Sequence, residues 1–183
     1  TQDMSGTVLS QAAEFHVTEE ELRAAIESFA GDYMQIPPMY SALKVNGKKL
    51  YELAREGKTV ERKPRPVHFY EIEILEINLP LVRFCVTCSK GTYIRTLCHD
   101  IGEKLGCGAA METLLRTKVG RFTLDDAITL AQTEEAVKNG EIESKVLGIE
   151  EILAEYPRVC CTKEGDRLLA NGNPLSDNLV SPQ

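Results

Sequence analysis

Residues 89–109, SKGTYIRTLCHDIGEKLGCGA, carry a cation where the start of a helix normally carries a carboxylate. Thr92 is the predicted N-cap, which makes Arg95 the third helical residue. The unpaired N–H groups of a helix start carry partial positive charge and favour an acidic side chain. Gly91 allows close approach of another group, and Tyr93 offers a stacking surface. The pattern predicts either an anion site at Arg95 or a structural ion pair with a carboxylate elsewhere in the chain.

A second candidate for chemistry is the basic segment 44–66, KVNGKKLYELAREGKTVERKPRP. It holds eight Lys or Arg against three Glu, although the whole chain has a net charge of −7. Such a run is either a solvated face or a surface for nucleic acid. Aromatic and methionine residues in MYSALK and LYELAR favour RNA, since RNA surfaces combine stacking groups with cations.

Metal and redox chemistry have weak support in the sequence. Cys85 and Cys88 form a single CxxC, and on a strand two residues three apart point to opposite faces, so we expect structural cysteines. The three histidines are isolated, and no metal site or cofactor is expected. No apolar run of 18 residues is present, so we predict no membrane contact and a reducing, cytoplasmic location.

The elements that position these residues are predicted from capping and periodicity. Thr18 and Glu21 form a capping box that starts a helix ending near Gly31. Residues 31–66 are then expected to form one excursion between regular elements, with an Asn-Gly turn and a short helix in KKLYELAREG that ends at Gly57. The excursion has little apolar surface to anchor it, so we expect it to be mobile without RNA. Its end, KTVERKPRPV, should run extended, because Pro64 and Pro66 cannot join a central sheet.

Two alternating segments, 67–79 and 81–88, predict an antiparallel pair of strands, followed by a helix over 93–105. Shorter helices are expected within AMETLLRTKVG and directly after a Thr123 cap. The expected fold class is α+β: a mixed, mainly antiparallel sheet flanked by helices, with an RNA-binding insertion.

Three ordered segments resemble TruB-type tRNA pseudouridine synthases: IPPMYSALKVNGKKLYELAREG, SKGTYIRTLCHDIGEKLGCGA and LLRTKVGRF. The opening TQDMSG also resembles the end of that family's TDTxDxxG stretch. The resemblance implies a pseudouridine synthase-like fold and an isomerase that converts uridine 55, flipped out of the T loop of tRNA, to pseudouridine. It implies no metal or other cofactor.

The resemblance also implies roles for particular residues. Arg95 would orient the family's nucleophilic aspartate, and Tyr93 and Leu114 would line the uracil pocket. The expected RNA contacts are Lys44, Lys48, Lys49, Arg55 and Arg116.

The resemblance further implies a domain division. Residues 1–155 match the later part of the catalytic domain, with 31–66 as its RNA-binding insertion, and 156–183 match the start of a PUA-like domain. The family's aspartate lies in a GHTGTLDPxATG-like segment, and no aspartate of this chain has that context. We therefore expect this chain alone to be inactive.

Two other functional classes stay open from the sequence. One is a non-catalytic RNA-binding protein or tRNA chaperone of the same fold, and the other is an enzyme that uses Arg95 to bind the phosphate of a small molecule. The expected partner in the leading interpretation is the T-arm stem-loop of tRNA, and the protein is expected to be a monomer.

Overall fold

The computed structural model describes residues 1–8 and 10–182 and divides the chain into two compact units, 1–115 and 116–183. The elements of the first unit are α1 (Glu19–Glu27), β1 (Gly31–Gln35), β2 (Lys44–Val45), β3 (Lys48–Lys49), α2 (Leu50–Arg55), β4 (Arg65–Asn78), β5 (Leu81–Cys88) and α3 (Ile94–Leu105). Those of the second are β6 (Lys118–Val119), β7 (Phe122–Thr123), α4 (Leu130–Lys138), α5 (Ile149–Ile152), β8 (Val159–Cys161), α6 (Lys163–Ala170) and β9 (Val180–Pro182), with 3₁₀ turns at Ile142–Lys145 and Asp177–Leu179.

The sheet of the first unit has three antiparallel strands in the order β1-β4-β5. The predicted pair over 67–79 and 81–88 is confirmed, but β4 begins earlier, at Arg65, and ends at Asn78. Pro66 lies in this strand opposite Met34 of β1, whereas pairing with β5 begins only at Phe69. Pro66 is therefore tolerated because β4 has a neighbour on one side only at that point.

Two helices cover one face of this sheet. Leu22 and Ile26 of α1 and Leu97 and Ile101 of α3 pack against Val67, Phe69 and the partly buried residues of β5. The predicted capping box of α1 is present, with Glu21 N–H donating to the Thr18 hydroxyl and Glu21 Oε2 accepting from Thr18 N–H. The α+β class is thus confirmed.

The segment between β1 and β4 contains both the predicted Asn-Gly turn and the predicted short helix, which is α2. The Asn-Gly turn is formed, with φ of 51° at Asn46 and 82° at Gly47, and it joins β2 to β3 as such turns do. Leu50 is 1% exposed and Leu53 is 9% exposed. The expectation of little anchoring apolar surface was therefore wrong, because α2 turns these leucines inward.

The second unit departs from the predicted helices. Residues 112–117 form no helix. Thr123 is the last residue of β7 and does not cap a helix, since its hydroxyl donates to Asp126. The helix begins later, at Leu130, where Thr129 and Gln132 form the capping box. Both predictions rested on local sequence signals, and in the structure these residues lie in or beside the β6–β7 hairpin and the turn after it.

No helix in the described part of the chain is long and apolar enough to cross a membrane.

Candidate functional site

The start of α3 is fixed by a side chain from another element. The helix begins at Ile94 with Tyr93 as its N-cap, so Arg95 is the second helical residue and not the third. Thr92, the predicted cap, instead donates its hydroxyl proton to the Ser89 carbonyl at 2.8 Å. The helix begins one residue later than predicted because the side chain of Gln35 holds the backbone of Tyr93.

Gln35, at the end of β1, holds the backbone of Tyr93 with both ends of its amide. Its Oε1 accepts from Tyr93 N–H at 2.9 Å, and its Nε2 donates to the Tyr93 carbonyl at 3.1 Å. Gln35 is 1% exposed. A buried amide with both functions satisfied fixes geometry well, since leaving either one unpaired is costly. Gln35 thus acts as a cap supplied from the neighbouring strand.

Arg95 projects from this helix start toward the beginning of the chain. Its Nη1 lies 3.4 Å from Oδ2 of Asp3, and its Nη2 donates to the carbonyl of Tyr40. The guanidinium carbon lies 5.9 Å from the centroid of the Tyr93 ring. The Arg95 side chain is 23% exposed. This single long contact with Asp3 differs from a buried bidentate pair, and it leaves the guanidinium able to bind a further acceptor.

Asp3 is a site residue that the sequence analysis did not assign. The Ser5 hydroxyl, 2.5 Å from Oδ1, leads the causes that lower the pKa of the Asp3 carboxyl to about 2; Thr1, the Ser5 amide and Arg95 act in the same direction. Burial opposes them. Asp3 is therefore ionised at neutral pH and supplies the negative charge that faces Arg95.

Two contacts hold the segment that carries Asp3. A parallel bridge pairs Asp3 with Met111, through Met4 N–H to the Met111 carbonyl at 3.0 Å and Met111 N–H to the Gln2 carbonyl at 3.1 Å. The hydroxyl of Thr96 donates to Gln2 Oε1 at 2.8 Å. Residues 1–4 are thus fixed both to α3 and to the segment that follows it.

Gly102 allows the segment after α3 to pack closely against the helix. Gly108 N–H donates to the Gly102 carbonyl at 3.0 Å, and a Cβ added at Gly102 would lie 2.1 Å from the backbone nitrogen of Ala109. No side chain fits between them, so glycine is required for the close approach.

The residues predicted for the uracil pocket have different surroundings. Tyr93 is partly buried at the helix start, and Leu114 is 54% exposed in a segment without regular secondary structure, three residues after Met111. Arg116 is exposed and belongs to the second unit. The roles assigned to these three residues stay predictions.

The four predicted RNA contacts of the insertion lie on the β2–β3 hairpin and α2. Lys44 pairs with Lys49 across the hairpin, and Lys48 Nζ lies 3.5 Å from Glu56. Lys49 Nζ donates to the Tyr51 hydroxyl at 3.2 Å, which raises the pKa of Lys49. The Arg55 guanidinium lies 5.3 Å from the centroid of the same ring. The hairpin and helix thus place Lys49 and Arg55 beside the ring of Tyr51.

Sequence reasoning missed Gln35 and Asp3 for different reasons. Gln35 is separated from Tyr93 by 58 residues, and its local sequence contains no signal for a cap. Asp3 lies in TQDMSG, a stretch that the resemblance singled out, so its family context was the available signal.

Two family models match the chain. The N-terminal domain of TruB family pseudouridylate synthases matches residues 1–94. The C-terminal domain of tRNA pseudouridylate synthase B matches residues 95–154.

Individual proteins give the same assignment. The chain is 46% identical over 182 residues to the tRNA pseudouridine synthase B of Clostridium novyi (strain NT), covering 61% of that protein. It is 49% identical over 162 residues to that of Lachnoclostridium phytofermentans (strain ATCC 700394 / DSM 18823 / ISDg), covering 52%. The chain thus spans less than two thirds of these relatives.

Solved structures share the fold. The structure of a Cbf5-Nop10-Gar1 complex matches with a TM-score of 0.65 and 27% identity, covering 90% of this chain and 47% of the matched one. An H/ACA RNP bound to a substrate RNA containing 2'-deoxyuridine matches with a TM-score of 0.64 at 23% identity, covering 93% and 48%. Together with the matches in sequence, which span residues 1–154, these findings show that the chain belongs to the TruB family of pseudouridylate synthases.

Proposed function

We propose that this chain is the later part of a tRNA pseudouridine-55 synthase, an isomerase that converts a uridine of the tRNA T loop to pseudouridine. The arrangement of Arg95 and Asp3 carries the proposal. A half-buried guanidinium at a helix start, with one carboxylate at 3.4 Å, is built to present a fixed positive charge.

The reaction that the family resemblance implies needs such a charge. An aspartate attacks the nucleoside, the glycosidic bond breaks and the base turns. A carbon–carbon bond then forms in its place, as the bond to the aspartate breaks and the proton leaves C5 of the base. The attacking carboxylate must stay ionised in a largely dry pocket, and a nearby cation favours its charged form. Arg95 supplies that cation, and Tyr93 and Leu114 bound the base.

Asp3 and Gln35 support Arg95 in this proposal. Asp3 is ionised, as its pKa of about 2 requires, and it fixes one side of the guanidinium. Gln35 fixes the backbone two residues before Arg95. We assign no nucleophile within this chain, because no aspartate of the chain lies in the family's nucleophile context.

The insertion between β1 and β4 is the proposed grip on the tRNA T arm. Lys44, Lys48 and Lys49 lie on one hairpin, and Arg55 lies on the helix that follows it. Their side chains are placed by the formed Asn-Gly turn and by the buried Leu50 and Leu53. A positioned cluster of cations beside an aromatic ring suits the phosphates of an RNA strand.

Binding of an unmodified tRNA transcript at a series of KCl concentrations tests this interface. Changing Lys44, Lys48 and Lys49 together to Gln should weaken binding and reduce the slope of log affinity against log salt by roughly one unit per lost phosphate contact. Arg23→Gln, which removes a cation paired with Glu19 on α1, is the matched control and should leave the slope unchanged. An unchanged slope in the triple variant would place the RNA interface elsewhere.

A further inference from the structure

Arg62 is a second arginine near Arg95 that the proposed mechanism does not use. It lies in the extended segment before β4, and its Nη1 donates to the Pro37 carbonyl at 3.1 Å. Its Nε is buried, and no acceptor among the described residues lies within hydrogen-bonding distance of it. A buried guanidinium N–H without an acceptor is costly, which makes Arg62 a candidate for binding an external group.

Arg62 borders a small cavity at the base of the insertion. The cavity has a volume of about 170 Å³ and is lined by Thr1, Gln2, Pro38, Met39, Tyr40 and Arg62. Pockets for whole ligands usually measure about 300–1,000 Å³, so this one suits a single chemical group and not a complete nucleotide. Its lining combines a guanidinium with a threonine, a glutamine and a tyrosine, which provide hydrogen-bonding groups at its wall.

The same short loop connects this cavity to the Arg95 site. Arg62 binds the carbonyl of Pro37, and Arg95 binds the carbonyl of Tyr40, three residues later. The two arginines therefore hold the loop 37–40 from two places.

The two arginines differ in how their charge is balanced. Arg95 faces the ionised carboxylate of Asp3. Arg62 has no carboxylate within 4.0 Å among residues 1–8 and 10–182. An uncompensated, partly buried guanidinium is the better site for an added anion, because it gains an opposite charge without displacing one.

We propose that Arg62 binds one backbone phosphate of the RNA, in the cavity beside Tyr40. The proposal rests on the proposed function, since it takes the RNA to be the anion that this face meets. It separates two tasks: Arg95 acts on the reacting nucleotide, and Arg62 holds a neighbouring phosphate and sets where the strand enters.

Affinity for an unmodified tRNA transcript tests the charge. Arg62→Gln should weaken binding about 10- to 100-fold and reduce the salt slope by about one unit, as expected for one lost charge-assisted contact. Arg62→Lys should keep the slope and lose only part of the affinity, because it keeps the charge without the planar fork. Arg83→Gln, which removes an exposed arginine paired with Glu76 near the far end of the β4–β5 hairpin, is the control and should bind like the wild type.

Single neutral methylphosphonates placed along a synthetic T-arm stem-loop locate the contact. One position should weaken binding to the wild type and have little further effect on Arg62→Gln, whereas Arg62→Lys, which keeps the charge, should show a smaller penalty at that position. If Arg62→Gln keeps every methylphosphonate penalty and the wild-type slope, or if it does not fold and Arg62→Lys keeps the full penalty at every position, Arg62 has only a structural role. In that event a flattened slope in the Lys44, Lys48 and Lys49 variant would leave the proposed RNA interface intact, whereas a wild-type slope in that variant would place the interface elsewhere.

Discussion

At the scale of the residue, Arg95 is a cation placed where the dipole of α3 opposes it. Asp3 offsets this unfavourable position by setting a carboxylate 3.4 Å away. The contact is single, and Tyr40 takes a second donor of the guanidinium. Arginine has five N–H donors in a fixed planar arrangement, so Arg95 can hold Asp3, the loop carbonyl and a reacting carboxylate at once.

Replacing Arg95 by lysine in the product of the complete reading frame should affect the chemical step. Lysine keeps the charge but loses the planar arrangement of donors, so we expect a single-turnover rate about 10²-fold lower at saturating tRNA, with affinity nearly unchanged. Rapid-quench measurement of tritium release and a binding titration give the two quantities. A preserved rate together with weaker binding would make Arg95 a phosphate contact only.

The Asp3 carboxyl makes the free energy of unfolding depend on pH in the acid range. Its pKa is about 2 in the folded protein against an ordinary 3.8, so the unfolded chain binds more protons between these values. The stabilisation from Asp3 is therefore present above about pH 4 and is lost as the pH falls toward 2. Asp3→Asn should be less stable than wild type at pH 7, with the difference shrinking toward pH 2.

Urea unfolding at pH 7, 4 and 2.5 measures this difference. Asp125→Asn, a change at an exposed position in the second unit, is the control and should follow the wild type at every pH. A difference between Asp3→Asn and wild type that is the same at all three pH values would show that the Asp3 carboxylate is not specifically stabilised.

At the scale of the element, the start of α3 is set by β1 and not by the residue before the helix. The sequence predicted the helix over 93–105 because its apolar period and Gly106 are local signals. It could not predict the cap, because Gln35 reaches the helix only after β1 and α3 have packed on the same sheet. Tyr33 makes a second such link, donating its hydroxyl to Asp100 at 2.9 Å.

Gln35→Ala should destabilise the first unit by about 2–4 kcal/mol, since two hydrogen bonds are lost and Tyr93 N–H is left unpaired, whereas the Tyr93 carbonyl still accepts from the N–H groups of Thr96 and Leu97. Gln35→Glu keeps the acceptor for Tyr93 N–H and loses the donor. The urea midpoint should fall for both variants, and Met34→Ala, at a neighbouring exposed position of β1, should change it little. An unchanged midpoint in Gln35→Ala would mean that the cap is not important for stability.

Local signals also explain where the sequence prediction was wrong. The segment 110–117 has a helical pattern of apolar residues, but Met111 is taken into a bridge with Asp3. Pro66 breaks ladders in general, yet it fits where β4 has a single neighbour. In both cases a pairing partner more than 30 residues away decides the outcome, and no window of local sequence contains it.

At the scale of the whole molecule, the site is assembled from parts distant in sequence. Asp3 and the loop 37–40 meet at the guanidinium of Arg95, and Met111 holds Asp3 through a bridge. Residue type and spacing in the sequence pointed to Arg95 and to the cations of the insertion as candidates. The contacts of Asp3, Gln35 and Arg62 are tertiary, and of these three residues only Asp3 lay in a stretch with a family resemblance.

Tritium release from a tRNA transcript labelled with [5-³H]uridine tests the central claim most directly. The account predicts that the product of the complete reading frame releases tritium from the wild-type transcript and releases none when position 55 is cytidine. It also predicts that the 183-residue polypeptide binds the transcript and releases no tritium. Binding without release by the complete product would contradict the account, and so would release by the 183-residue polypeptide, because an aspartate of this chain would then carry out the reaction.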